Sequence, residues 1–328
     1  MLKYLINEKK IMEELKHPNI IRFDNFFESK THYFFIMEYC NGESLSNLLK
    51  KYKEKYRKPF TLEIIQCYMS QLIEGLKYIH SKNIIHRDLK LDNILVQFKT
   101  ISRNTKDKTN FNELNDNDFL NATIKIIDFG FSTKLEPGIL AKTIVGSPAY
   151  MDPYILSNCK NAKGNQLLEG YNEKADIWSL GAICFQMLTG DPLFAVYDFK
   201  ELFEKVKEGN YSIPIDIEIS DEIISFLNSM LQYDGNLRPS CEKLLKHDFL
   251  KKNVQDFIKI DYRKNPESQD ISYIIINAMR NSIYVNNHQK LKNSKEIYLN
   301  YIDRLLNDYK AVKLYFKENG LFDREKDA

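Results

Sequence analysis

Two short strings carry the side chains that could do chemistry. One is His86-Arg87-Asp88-Leu89-Lys90-Leu91-Asp92-Asn93; the other, further on, is Asp128-Phe129-Gly130. Asp88 offers a carboxylate able to accept a proton, and Lys90 an ammonium able to neutralise an anion. Asn93 and Asp128 offer the oxygen atoms that a hard divalent cation prefers. A helix would scatter Asp88 and Lys90, because positions two apart do not share a face. A short extended loop lets Asp88, Lys90 and Asn93 converge. A lone Asp or Asn behind a helix is ordinarily a cap or turn residue; a whole string followed by a second one calls for a joint role.

The elements that must position these strings are legible in the apolar periodicity. Residues 61–80 read as the clearest helix, with Ile65, Tyr68, Met69, Leu72, Leu76 and Ile79 at three- and four-residue steps and Thr61 as N-cap. Residues 4–15 read as a helix with Leu5, Ile11, Met12 and Leu15 in a stripe, ended by His17-Pro18-Asn19. Stretches 20–27 and 33–39 read as a strand pair rich in Ile, Phe and Tyr. Ile94–Val96 and Ile124–Ile127 read as short buried strands. Between them, residues 98–122 are rich in Asn, Asp, Thr and Lys, which predicts a disordered surface insertion outside the chemistry. Residues 175–189 are apolar on several faces and predict a buried central helix. Further helices fit 199–208, 221–231 and 240–246, and 295–317 is a long amphipathic candidate.

Composition narrows the class. A chain of 328 residues, 43% hydrophobic and 28% charged, suits one two-lobed domain or two smaller ones. The net charge of +2, from dispersed basic residues, gives no nucleic-acid footprint. No apolar run reaches membrane-spanning length, and the N-terminus has no signal-peptide core. Cys40, Cys67, Cys159, Cys184 and Cys241 are odd in number and form no C-x-x-C, which predicts reduced thiols in an intracellular, cytoplasmic protein. The absence of H-E-x-x-H argues against a protein-ligated zinc.

The two strings resemble the catalytic loop and the metal-binding loop of eukaryotic protein kinases, and the resemblance extends over residues 4–250. It implies an α+β, protein-kinase-like fold. Residues 1–40 would form an incomplete N-lobe of one helix, two strands and the hinge; 41–250 a mainly helical C-lobe with the insertion at 98–122; and 251–328 a helical C-terminal extension. The implied activity is transfer of the ATP γ-phosphate, with Mg²⁺, to a Ser or Thr hydroxyl of a protein substrate. Asp88 would orient the attacking hydroxyl and take its proton, Lys90 would reach the transferring phosphoryl group, and Asn93 and Asp128 would hold Mg²⁺. Lys90 and Ser147, in Gly146-Ser147-Pro148-Ala149-Tyr150, match the members that act on Ser and Thr.

The same resemblance assigns further positions. Glu8 stands where the small-lobe helix carries its glutamate, and Met37 where the gatekeeper stands. Glu38, Tyr39 and Cys40 match the hinge that bonds adenine through its backbone. Glu43 or Ser44 would lie near the ribose, and Leu95 under the adenine. Met12, Phe23, His86 and Phe129 match an apolar spine, which makes His86 a packed core residue. Asp176 and Trp178 match the central helix, where Asp176 would anchor the catalytic-loop backbone. Thr143 matches a phosphorylated position, and Arg87 could pair with its phosphate.

Departures from the family accompany the match. The sequence holds no G-x-G-x-x-G and no lysine in V-A-x-K context, so Glu8 lacks its usual partner. Losing one preorganised charge stabiliser costs about 10²–10³ in rate. The expectation is a truncated form of a longer kinase; the rival is a pseudokinase scaffold, which would have no need of Asp88, Lys90, Asn93 and Asp128 together. Ser147, Asp176 and Arg238 in their contexts argue against a small-molecule kinase. Met151-Asp152-Pro153-Tyr154 puts Tyr154 where the family has a glutamate that pairs with a buried arginine, here Arg238; Asp152 or a nearby acid is the expected substitute. The linker at 157–170 is long. The mixed charges of 295–317 point to packing on the large lobe or on a regulatory partner rather than to a calmodulin target.

Overall fold

The computed structural model describes residues 2–28, 32–99, 111–158, 166–194, 199–208 and 220–251. The chain divides into two units, Met1–Lys259 and Ile260–Ala328, and every described element lies in the first. The candidate helix at 295–317 lies outside the described residues. In chain order the elements begin with α1 (Leu2–Glu14), β1 (Phe23–Glu28), β2 (Tyr33–Met37), α2 (Leu45–Tyr56), α3 (Leu62–Ser81), β3 (Ile84–Ile85), β4 (Ile94–Gln97), α4 (Asp116–Leu120) and β5 (Thr123–Ile126). They continue with β6 (Thr133–Lys134), β7 (Ala141–Thr143), α5 (Pro153–Asn158), β8 (Gln166–Tyr171), α6 (Lys174–Thr189), α7 (Phe199–Glu208), α8 (Asp221–Met230), α9 (Cys241–Leu244) and α10 (Asp248–Lys251).

The four described sheets are two-stranded antiparallel pairs: β1–β2, β3–β6, β4–β5 and β7–β8. In β1–β2, Phe35 packs edge-on against Phe23 and Phe26, while Phe27, Phe34 and Ile36 are exposed. The turn after α1 is tied to β5. Asn19 donates its side-chain amide to Gln71 Oε1 and the Ile124 carbonyl, and its own carbonyl accepts from Ile126 N.

The core runs between α3 and α6. On α3, Ile64, Ile65, Tyr68, Met69, Leu72, Ile73, Leu76 and Ile79 are buried at the spacing of a helix face, and Thr61 Oγ1 caps Ile64 N. Nearly every residue of α6 is buried, as a helix apolar on all sides requires. Gly190, at φ +80°, closes α6 in the left-handed conformation that favours glycine. α6 packs on both α3 and α8.

Three features differ from the sequence expectation. Helix α2 is not among the expected elements, although Leu45, Leu48, Leu49 and Tyr52 form a buried stripe and Ser44 caps it. The insertion is corrected in its second half. Residues 111–122 are built into the molecule, with α4 closed by a reciprocal capping box between Asn115 and Asp118. Phe119 is fully buried among Tyr52, Phe60, Phe98 and Phe111, and the Tyr52 hydroxyl donates to Asp116 Oδ1 at 2.9 Å. Residues 100–110 lie outside the described residues. Polar composition hid two aromatic anchors, which outweigh their neighbours because each ring removes so much apolar surface from water. Finally, the stretch read as a linker at 157–170 ends in strand β8.

Candidate active site

The two strings meet because β4 and β5 pair. Register Ile94↔Ile126 sets Asn93 beside Ile127, whose amide donates to the Asn93 carbonyl at 3.0 Å, so Asn93 and Asp128 issue from adjacent strand ends. The His86 and Phe129 rings pack at a tilt with centroids 5.1 Å apart, joining the two strings. His86 Nε2 faces the Ile127 carbonyl at 3.1 Å, and burial holds its imidazole below its ordinary ionisation range. Met12 is buried in the same core and Phe23 packs against that core half-buried.

Asp88 is the centre of the first string. Its Oδ1 accepts the Ser147 amide and the Ser147 hydroxyl, each at 2.8 Å. Its Oδ2 accepts Asn93 Nδ2 at 3.1 Å and faces Lys90 Nζ at 3.0 Å. Lys90 Nζ also donates to Ser147 Oγ at 2.9 Å. A side chain this buried needs such donors to replace the hydrogen bonds it loses to water. Gly146 makes the approach possible: its φ is +109°, and a Cβ there would fall 2.4 Å from the Arg87 carbonyl oxygen.

The backbone of the loop is fixed from α6. Asp176 Oδ1 accepts Arg87 N at 2.9 Å, and Oδ2 accepts His86 N at 2.9 Å and faces His80 Nε2 at 2.9 Å. Burial opposes charge on both partners, yet their mutual bond prevails. The His80 imidazolium is raised to about 9, and Asp176 is held below its ordinary range. Arg87 and Asp128 both have left-handed backbones, at φ 69° and 64°. A non-glycine residue held there costs about 1–3 kcal/mol, a strain that clusters at functional loops. The Asp176 bond to Arg87 N is one contact that holds Arg87 there. The Arg87 side chain donates from Nε to the Phe131 carbonyl at 2.6 Å, and the Tyr171 hydroxyl donates to the Thr143 carbonyl at 2.7 Å.

Oxygen atoms suited to a hard cation remain. Asn93 spends its amide nitrogen on Asp88, leaving Oδ1 without a hydrogen bond among the described residues. Asp128 is exposed and, among the described residues, accepts only Gly130 N, at 3.1 Å. This donor set fits Mg²⁺, which typically takes one or two protein oxygens and completes its shell with phosphates and water. The described residues contain no cluster of three His, Cys, Asp or Glu able to hold a metal by themselves. Glu8 lies over this loop: a Cβ on Gly130 would be 3.6 Å from Glu8 Oε2. Burial and the nearby Asp128 push its carboxyl up, and no described cation pairs with it.

The hinge candidates are less convergent. Glu38 donates its amide to the Arg22 carbonyl at 3.0 Å, and its side chain binds Lys125 Nζ at 2.8 Å and Arg22 N at 2.8 Å. Burial raises the Cys40 thiol to about 11. Met37 and Tyr39 are exposed, and Leu95 is half-buried. Glu43 pairs with Lys51 and Ser44 caps α2, so both ribose candidates have structural partners.

Away from the chemistry, Arg238 is buried and bonded to Asp152, while Tyr154 carries no such contact to it. Its remaining donors go to the carbonyls of Gln232, Lys174 and Tyr233, and its guanidinium lies 5.3 Å from the Trp178 ring. Sequence reasoning missed His80 and Tyr171. Neither carries a motif signal, because each acts through partners distant in the chain.

Comparison with known proteins adds an independent line. The family model described as protein kinase domain matches residues 1–250. Over 257 residues the chain is 37% identical to "Probable serine/threonine-protein kinase CCRP1" of Zea mays, covering 77% of this chain and 35% of that protein. It is 32% identical over 291 residues to the serine/threonine-protein kinase ATG1 of Candida glabrata, covering 82% and 30% respectively. It is also 32% identical over 259 residues to the serine/threonine-protein kinase polo of Drosophila melanogaster, covering 76% and 38%. The chain thus spans about a third of the length of these relatives.

Proposed function

The chain belongs to the protein kinase domain family, and from that premise we propose that it is a serine/threonine protein kinase, transferring the γ-phosphate of ATP to a protein hydroxyl. One observation carries this reading. Ser147 Oγ, itself an alcohol, sits 2.8 Å from Asp88 Oδ1 and 2.9 Å from Lys90 Nζ. An alcohol in such a place has a carboxylate to orient it and take its proton, and an ammonium to meet developing negative charge. Lys90 stays by Asp88 through its 3.0 Å ion pair, and Asn93 keeps the Asp88 carboxylate turned by bonding both its Oδ2 and its carbonyl. Asn93 Oδ1 and Asp128 would hold Mg²⁺, which neutralises nucleotide phosphate charge when bound. The residues at Met37, Glu38, Cys40 and Leu95 are assigned to adenine, Glu8 to support of the phosphates, and Arg87 with Thr143 to regulation. The protein substrate, an intracellular setting and a partner for the C-terminal region belong to the same proposal.

A scaffold without phosphotransfer is the rival, and Glu8 is the observation in its favour: it faces Asp128 rather than a cation. The test uses the full chain with Mg·ATP and a Ser/Thr protein substrate, beside Asp128→Asn. Loss of about 10²–10³ in rate is expected. Equal transfer by both would remove Asp128 from the mechanism, and failure of both to bind nucleotide would leave the scaffold.

A further inference from the structure

Residues 140–147 are held against the catalytic loop by a strand absent from the motif reading. β7 pairs with β8, setting Ala141 opposite Tyr171 and Thr143 opposite Gln166. The approach is tight: a Cβ on Gly170 would fall 2.2 Å from Leu140 Cβ and 2.9 Å from the Ala141 carbonyl oxygen. Only glycine fits there without displacement. The next residue, Tyr171, is buried and donates its hydroxyl to the Thr143 carbonyl at 2.7 Å. Arg87 adjoins Asp88, and Thr143 lies one short loop before Ser147, which Asp88 holds.

We infer that Tyr171 is a positioning residue: a latch that holds the 140–147 segment, and with it the Ser147 contact to Asp88, without a phosphate on Thr143. It rests on the kinase reading for the name and purpose of that segment, but the contact itself is a matter of geometry. Burial raises the Tyr171 phenol above its ordinary range, so it keeps the hydrogen it donates. Arg87 is itself engaged in the unmodified chain, donating from Nε to the Phe131 carbonyl. A phosphate on Thr143 would compete for an arginine that is already engaged.

The experiment compares the full chain with Tyr171→Phe, Gly170→Ala and Thr143→Ala. Amide hydrogen exchange of a peptide covering 139–147 is read against one from α3. Tyr171→Phe and Gly170→Ala should each speed exchange in 139–147 by about fivefold, on the scale of one neutral hydrogen bond, and leave α3 unchanged. Thr143→Ala should change neither. Where phosphotransfer is measurable, Tyr171→Phe should lower kcat by a similar factor with the ATP KM unaltered, while Thr143→Ala stays within about twofold. Unchanged exchange in Tyr171→Phe, or equal acceleration in α3, would overturn the latch; so would a larger loss from Thr143→Ala than from Tyr171→Phe. Exchange needs no nucleotide, so it judges the latch even if the chain transfers no phosphate, a result that would count against the kinase reading alone.

Discussion

Arg238 pairs with Asp152, two positions before the residue where the family places its acid. Asp152 does a second task at the same time, accepting the amides of Tyr154 and Ile155 at the start of α5. The helix entrance and the buried arginine therefore share one carboxylate. Arg238→Leu should lower unfolding free energy by about 3–5 kcal/mol in urea, because it strands a buried charge. Asp152→Asn, which keeps the helix cap but strands the buried Arg238 charge, should cost a similar amount. A rise in stability on Arg238→Leu would show that Asp152 is not a useful partner.

Phe119 gives a test of the corrected insertion. Its ring is fully buried against four aromatic neighbours. Phe119→Ala should destabilise by about 3–5 kcal/mol, and Tyr52→Phe, which removes only the bond to Asp116, by about 1 kcal/mol. Thermal unfolding separates the two. A Phe119→Ala protein as stable as the parent would return residues 111–122 to the surface.

The His80–Asp176 pair predicts a pH window. His80 is raised from 6.5 to about 9, so its contribution to stability is complete below pH 6.5 and is lost as pH rises through about 9. Asp176 is depressed from 3.8, so its share is present above that value and is lost as pH falls below it. The His80 contribution is on the order of 3 kcal/mol at full strength. The Tm gap between the parent and His80→Gln should therefore be widest near pH 6 and shrink toward pH 10. A gap constant over that range would mean His80 is neutral in the fold.

Lys125 and Glu38 tie β5 to the end of β2 through a mostly buried ion pair. Burial opposes the Glu38 charge, but the Lys125 bond and the Arg22 amide hold its carboxyl below the ordinary range. Lys125→Met should cost about 3 kcal/mol by leaving Glu38 unpaired. Lys125→Met with Glu38→Gln should recover part of it, read by urea unfolding. Additive losses in the double variant would rule out coupling across this pair.

The sequence by itself determined the two reactive strings and the helices 61–80 and 175–189, because periodic burial and loop chemistry are local properties of the chain. It also pointed to Asp176 as an anchor and Asp152 as an acid for Arg238 through their motif positions. The stripe of α2, in Leu45, Leu48, Leu49 and Tyr52, is also a local property, though no motif points to it. Tertiary structure alone decided the rest. Phe119 stands in a polar stretch, and nothing local says that Tyr52, Phe60 and Phe98 surround it. His80 and Tyr171 are ordinary helix and strand residues until α6 brings Asp176 to one and β7 brings Thr143 to the other. Such contacts depend on where distant segments cross, and the energy that fixes those crossings is spread over the whole core rather than written at either residue.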